Sequence, residues 1–141
     1  MKQFEILDIS GDVGIKAYGE SLEAAFINAA IGMYSLITDI EGVKGTQKIV
    51  TETKSDSLEG LLVSYLNELI FQFDAYGFIG KNIEINVFSL EPSAFLKTTV
   101  RGEKFDPERH ERKLLIKAAT YHRLRIENTG NMWEIDVIFD I

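Results

Sequence analysis

The sequence predicts a single α+β domain of layered build. Three observations carry that reading: two stretches with helical period, a larger number of short stretches with strand period, and a run of late strands joined by tight turns. The 141 residues make one domain, 1–141, long enough to bury roughly two thirds of the unfolded surface around one core. The late strands favour antiparallel pairing, so the expected architecture is a mainly antiparallel or mixed β-sheet covered by two long amphipathic helices.

Residues 4–18 read as two short strands about the bend Ser10-Gly11-Asp12-Val13-Gly14, whose glycines let the backbone fold sharply and present Asp12 at the turn. From Ser21 the period changes. Leu22, Ala25, Phe26, Ala29, Met33, Leu36 and Ile37 recur as one helix face, with Ser21 as cap and Glu23 in the first turn. A stretch punctuated by Gly42 and Gly45 leads to a β-branched strand over 47–53. Asp56 and Glu59, three apart, resemble a capping box at the head of the strongest helix. Its apolar stripe runs from Leu58 through Leu62, Leu66 and Leu69 to Phe73; Glu59, Ser64, Asn67, Glu68 and Gln72 are expected to face away, and Gly77 ends it.

Beyond Gly80, Ile83, Ile85 and Val87 alternate with polar residues, and the turn Glu91-Pro92-Ser93 leads into a strand over 95–101. Residues 102–110 read as a loop and 114–127 as holding at least one more strand. The turn Asn128-Thr129-Gly130-Asn131 joins it to a final strand over 132–141, forming a C-terminal hairpin.

Composition excludes several function classes. The chain has no cysteine, which removes disulfides, thiolate metal sites and cysteine nucleophiles and fits a reducing cytoplasm. A net charge of −7 argues against broad binding to DNA or RNA backbones, because counterion release needs many Lys and Arg contacts. Neither a signal peptide nor a membrane span is expected, since no window approaches 18 uninterrupted apolar residues, and the chain reads as soluble. Gly80-Lys81 lacks the preceding glycine of a phosphate loop, and there is no nucleophile elbow or helix-loop-helix calcium loop.

Candidate sites are few. The final strand stops on Asp140 followed by the carboxylate of Ile141, and a third carboxylate at Asp12 would complete an oxygen cluster for Ca²⁺ or Mg²⁺ if the first turn and the last strand met. Taken alone, a turn aspartate and a strand-end aspartate are more often solvated surface charges. Residues 101–125 hold eight basic against four acidic side chains, either a positive stripe for a polyanion or a solvated face with its charges paired. Lys117, among apolar neighbours, either snorkels to water or is held by carboxylates. His110 and His122 have no partners at zinc spacing and read as structural.

Four segments taken together resemble the archease family: Gly11-Asp12-Val13-Gly14-Ile15-Lys16-Ala17-Tyr18-Gly19 with Ser21-Leu22-Glu23-Ala24-Ala25-Phe26, then Leu66-Asn67-Glu68-Leu69-Ile70, then Ile116-Lys117-Ala118-Ala119-Thr120-Tyr121-His122, and finally Val137-Ile138-Phe139-Asp140-Ile141. The likeness spans the chain. Archeases commonly carry His-Thr-Ala-Asp near the start, where this chain has Ile9-Ser10-Gly11-Asp12, so the aspartate is kept and the histidine is not. The resemblance implies a metal site on Asp12, Asp140 and Ile141, with Ca²⁺ the first expectation and Mg²⁺ the second. It also implies that the protein is no enzyme but an activator of the RtcB-type RNA ligase of tRNA splicing. Such an activator promotes ligase guanylation, turnover and broader nucleotide use, and meets RNA only through the ligase. Lys117 would then contact the partner or a phosphate. The alternative is a general chaperone or RNA-binding adaptor acting through residues 101–125.

Overall fold

A computed structural model describes residues 2–141 and has the expected α+β character. Its strands divide between two sheets, and all observed strand pairs are antiparallel. The elements are β1 (Phe4–Ile9), β2 (Asp12–Gly19), α1 (Leu22–Ile37), a 3₁₀ turn (Ile40–Gly42), β3 (Gln47–Ser55), α2 (Leu58–Tyr76), β4 (Phe78–Ser89), β5 (Ala94–Lys104), β6 (Ala118–Ala119), β7 (Arg125–Asn128) and β8 (Trp133–Asp140). The first sheet runs β1-β2-β8-β6, with β7 also paired to β8; the second runs β3-β5-β4. No helix among the described residues is long and apolar enough to cross a membrane.

The two helices join the sheets. α1 packs on β1, β2 and β8 and reaches β4, whereas α2 packs on β3, β4 and β5 and reaches β6. The core between them includes Phe26, Met33, Leu62, Leu66 and Leu69 from the helices, Ile15 and Ala17 from β2, and Ile135, Val137 and Phe139 from β8. On β2 and β8 the period of two then sends Lys16, Glu134 and Asp136 to the outer face.

Local chemistry corrects four of the expected details. The bend after β1 is tighter than Ser10-Gly11-Asp12-Val13-Gly14. Only Ser10 (φ 48°) and Gly11 (φ 89°) form it, both in the left-handed region that a two-residue hairpin turn requires, and Asp12 already belongs to β2. The α2 cap is Ser57, whose hydroxyl accepts the Gly60 N–H at 2.9 Å, and not Asp56. Gly77 ends α2 as expected, at φ 70°, where its N–H closes onto the last turn. The third strand of the second sheet starts before Gly80, at Phe78, and the preceding expectation of a loop over 102–110 fails at its start, because Gly102, Glu103 and Lys104 continue β5 opposite Gly80, Ile79 and Phe78.

Candidate functional site

Strand register assembles the site. β1 pairs Ile9 with Asp12, β2 pairs Val13 with Phe139, and β6 pairs Ala118 with Asp140. Continuing the β2–β8 register by one residue sets Asp12 across from Asp140. A single row therefore crosses the end of the first sheet as Ile9, Asp12, Asp140 and Ala118. Asp12 has the parity of Lys16, and Asp140 that of Asp136, so both aspartates lie on the outer face.

Gly11, Asp12, Lys117, Phe139, Asp140 and Ile141 line one shallow depression of about 380 Å³. The first bend and the end of the last strand thus meet, as the candidate required. Lys117 is exposed and lines the depression with the two aspartates, and its backbone N–H donates to the Asp140 carbonyl at 2.8 Å. Like charges facing each other across neighbouring strands repel, and one lysine offsets only part of that charge. The donor atoms are hard oxygens, which suits Ca²⁺ or Mg²⁺. Among the described residues no three His, Cys, Asp or Glu side chains gather closely enough to hold a metal.

The histidines separate. His110 is structural: its side chain is fully buried, Nε2 lies 2.9 Å from Glu103 Oε2, and Nδ1 accepts the Asp106 N–H at 2.8 Å. The same reading fails for His122, whose side chain is exposed, with Nε2 3.9 Å from Asp12 Oδ2. Its backbone N–H donates to the Thr120 hydroxyl at 3.2 Å, and that hydroxyl donates to the Ile138 carbonyl at 2.8 Å, tying the loop to β8. Asn67 corrects another expectation. It is half-buried, and its carboxamide meets the backbone of Ala119.

Within the basic segment 101–125, Arg109 and Arg125 are paired with carboxylates. Arg109 bonds the Glu103 carboxylate and the Gly42 carbonyl, and Arg112 lies 5.2 Å from the centre of the Phe105 ring. Arg125 reaches Asp136, Glu134 and Glu127 at 3.0, 2.8 and 2.6 Å. Hydrogen bonds donated to Asp136 first, then Glu134 and Glu127, hold its guanidinium pKa above the ordinary value against the opposing effect of burial.

The model of the archease protein family matches residues 4–141. The protein archease of Sulfurisphaera tokodaii is 36% identical over 143 residues, and that of Pyrococcus abyssi 35% over 142, each covering 100% of both chains. The solution structure of Methanobacterium thermoautotrophicum protein 1598 superposes with a TM-score of 0.86 at 32% identity over 100% of each chain. A crystal structure from Thermotoga maritima, described as an archease and possible chaperone, shares the fold with a TM-score of 0.64 at 19% identity, covering 96% of this chain and 94% of that one.

Proposed function

The chain belongs to the archease family, and on that premise we propose that it acts in the cytoplasm as an activator of an RtcB-type tRNA-splicing RNA ligase. It promotes the ligase's guanylation and turnover and widens the nucleotides the ligase accepts, without itself catalysing the joining. The observation that supports this most is the row that brings Asp12 and Asp140 together beside Lys117 and Ile141 at an exposed sheet end. Such an end can enter a partner's cleft.

Asp12, Asp140 and the Ile141 carboxylate would hold the divalent ion, Ca²⁺ or Mg²⁺. When bound, the ion neutralises the repulsion between the carboxylates and offers positive charge to a phosphate. The Lys117 ammonium supplies a second positive group from the same depression, suited to orienting a phosphate of the nucleotide at the ligase. The rival reading, an RNA-binding adaptor or chaperone working through residues 101–125, is weakened by the pairing of Arg109 and Arg125 with carboxylates.

The test is ligase guanylation with GTP, measured with and without the protein across a divalent-ion titration. Wild type should raise the rate and the number of turnovers, and Asp12→Ala or Asp140→Ala should remove the gain while circular dichroism stays native. Full stimulation by both variants would refute the site. Salt-sensitive RNA gel shifts, or suppression of client aggregation, by a protein that leaves guanylation unchanged would favour the rival.

A further inference from the structure

We infer that Asn67 is a positioning residue for this site: through the backbone of Ala119 it sets where Lys117 and Asp140 are presented. The inference rests on the proposed role of the sheet end, and it assigns the placement of that end to a side chain in the middle of α2.

Half-buried Asn67 lies on the same side of α2 as Val63 and Ile70, both of them buried. A carboxamide there is costly unless its donor and acceptor are both met. Both are met by one residue 52 positions away: Oδ1 accepts the Ala119 N–H at 2.8 Å, and Nδ2 donates to the Ala119 carbonyl at 3.3 Å. The carboxamide has the donor and acceptor of a peptide group, so it treats Ala119 as a neighbouring strand would.

That substitution matters because β6 is only two residues long. Its sheet partner is β8, through Ala118 with Asp140 and Ala119 with Phe139, supported by the Lys117 N–H to the Asp140 carbonyl at 2.8 Å and the Thr120 N–H to Ile138 at 3.1 Å. A strand this short, held on one side alone, frays readily. The second hold comes from Asn67. A rigid helix thereby fixes the segment whose neighbour, Lys117, lines the depression, and with it the bonded carbonyl of Asp140. An apolar side chain at 67 would fill the space and leave the Ala119 N–H and carbonyl without these partners.

The full-length chain carrying Asn67→Leu tests this, with Asn67→Asp as a second variant that keeps the acceptor for the Ala119 N–H and loses the donor. Two readings are taken below the melting temperature: amide hydrogen exchange along residues 117–120, and ligase guanylation as a function of activator concentration. Thr51→Val, in the second sheet, serves as a control of general destabilisation. In Asn67→Leu the Ala119 amide should exchange about tenfold faster or more while β3 and β5 amides stay protected. Maximal stimulation should fall on the order of tenfold. Asn67→Asp should recover part of both, and Thr51→Val should stimulate as wild type does. If Asn67→Leu fails to fold, Asn67→Asp decides: intermediate exchange and stimulation support the clamp, and wild-type values in both overturn it. Wild-type stimulation by Asn67→Leu while Asp12→Ala is inactive overturns this inference and leaves the proposed function standing. Loss of the functional reading itself appears differently, as full stimulation by Asp12→Ala and Asp140→Ala, and unchanged Ala119 exchange then rejects the clamp by itself.

Discussion

His110 Nε2 lies 2.9 Å from Glu103 Oε2 in the protein interior, and the imidazole has no exposed surface. Because Nδ1 accepts the Asp106 N–H, the proton sits on Nε2 and is donated to the carboxylate. Burial of Glu103 opposes its charge, but the Lys44 N–H, His110 and Arg109 overcome that opposition and hold its pKa at about 2, below the ordinary 4.5. A carboxyl depressed in this way stabilises the fold above its unfolded value, and the contribution is lost as pH falls from about 4.5 toward 2. Urea unfolding should therefore show stability dropping through that window. Glu103→Gln should be about 1–3 kcal/mol less stable at pH 7 and flatter across the window, since a neutral amide replaces a charge-assisted acceptor. Identical pH profiles for the two proteins would contradict this account.

The facing aspartates give a second expectation. In chelator, Asp140→Asn should be more stable than wild type by about 0.2–1 kcal/mol, because a like-charge pair across two strands is relieved. Adding Ca²⁺ or Mg²⁺ should stabilise wild type, by about 2.7 kcal/mol at a hundred times the dissociation constant, and leave Asp140→Asn nearly unmoved. Thermal melts with and without the ion decide it, and equal ion-dependent gains in both proteins would remove Asp140 from the site.

Gly102 marks the tightest approach in the second sheet. A Cβ built there would lie 1.9 Å from the Ile79 carbonyl oxygen, which is backbone and cannot swing aside. Gly102→Ala should cost about 3 kcal/mol or more by forcing β4 away from β5. A melting temperature within a degree or two of wild type would show that the strands relax more easily than this contact implies.

Inside that sheet, Thr98 Oγ1 bonds both Thr51 Oγ1 at 2.8 Å and the Tyr65 hydroxyl at 2.9 Å. Burial pushes the Tyr65 phenol well above its ordinary pKa, and the Thr98 bond only partly offsets this. Thr98→Val should orphan two buried hydroxyls and destabilise by about 1–3 kcal/mol, more than Tyr65→Phe, which removes a hydroxyl and leaves Thr98 still bonded to Thr51. Chemical denaturation of both variants checks the order.

Local signals in the sequence were sufficient for the helices and the final hairpin, whereas the meeting of Asp12 with Asp140 depends on the long-range pairing of β2 with β8. The period of α1, the left-handed stop at Gly77 and the alternation in β8 are all set by near neighbours. What escaped was set at long range or by competing neighbours. Asp56 and Ser57 each have a suitable side chain three residues before a helical position, and only the register of Leu58 chooses Ser57. Asn67 reads as a solvent-facing polar residue until Ala119, 52 positions on, supplies its partners. His122 has no metal spacing in the chain, yet the hairpin at Ser10 and Gly11 carries Asp12 to within 3.9 Å of it.

The division into two sheets has a kinetic consequence. β3, β4 and β5 come from one continuous stretch between Gln47 and Lys104, so the second sheet and α2 can form from neighbouring chain. The first sheet cannot, because β2 waits for β8, and Val13 must find Phe139 across most of the polypeptide. Closing so large a loop is entropically slow. Refolding should therefore show the second sheet protected early, with the carboxylate end, the part proposed to act on the partner, maturing last.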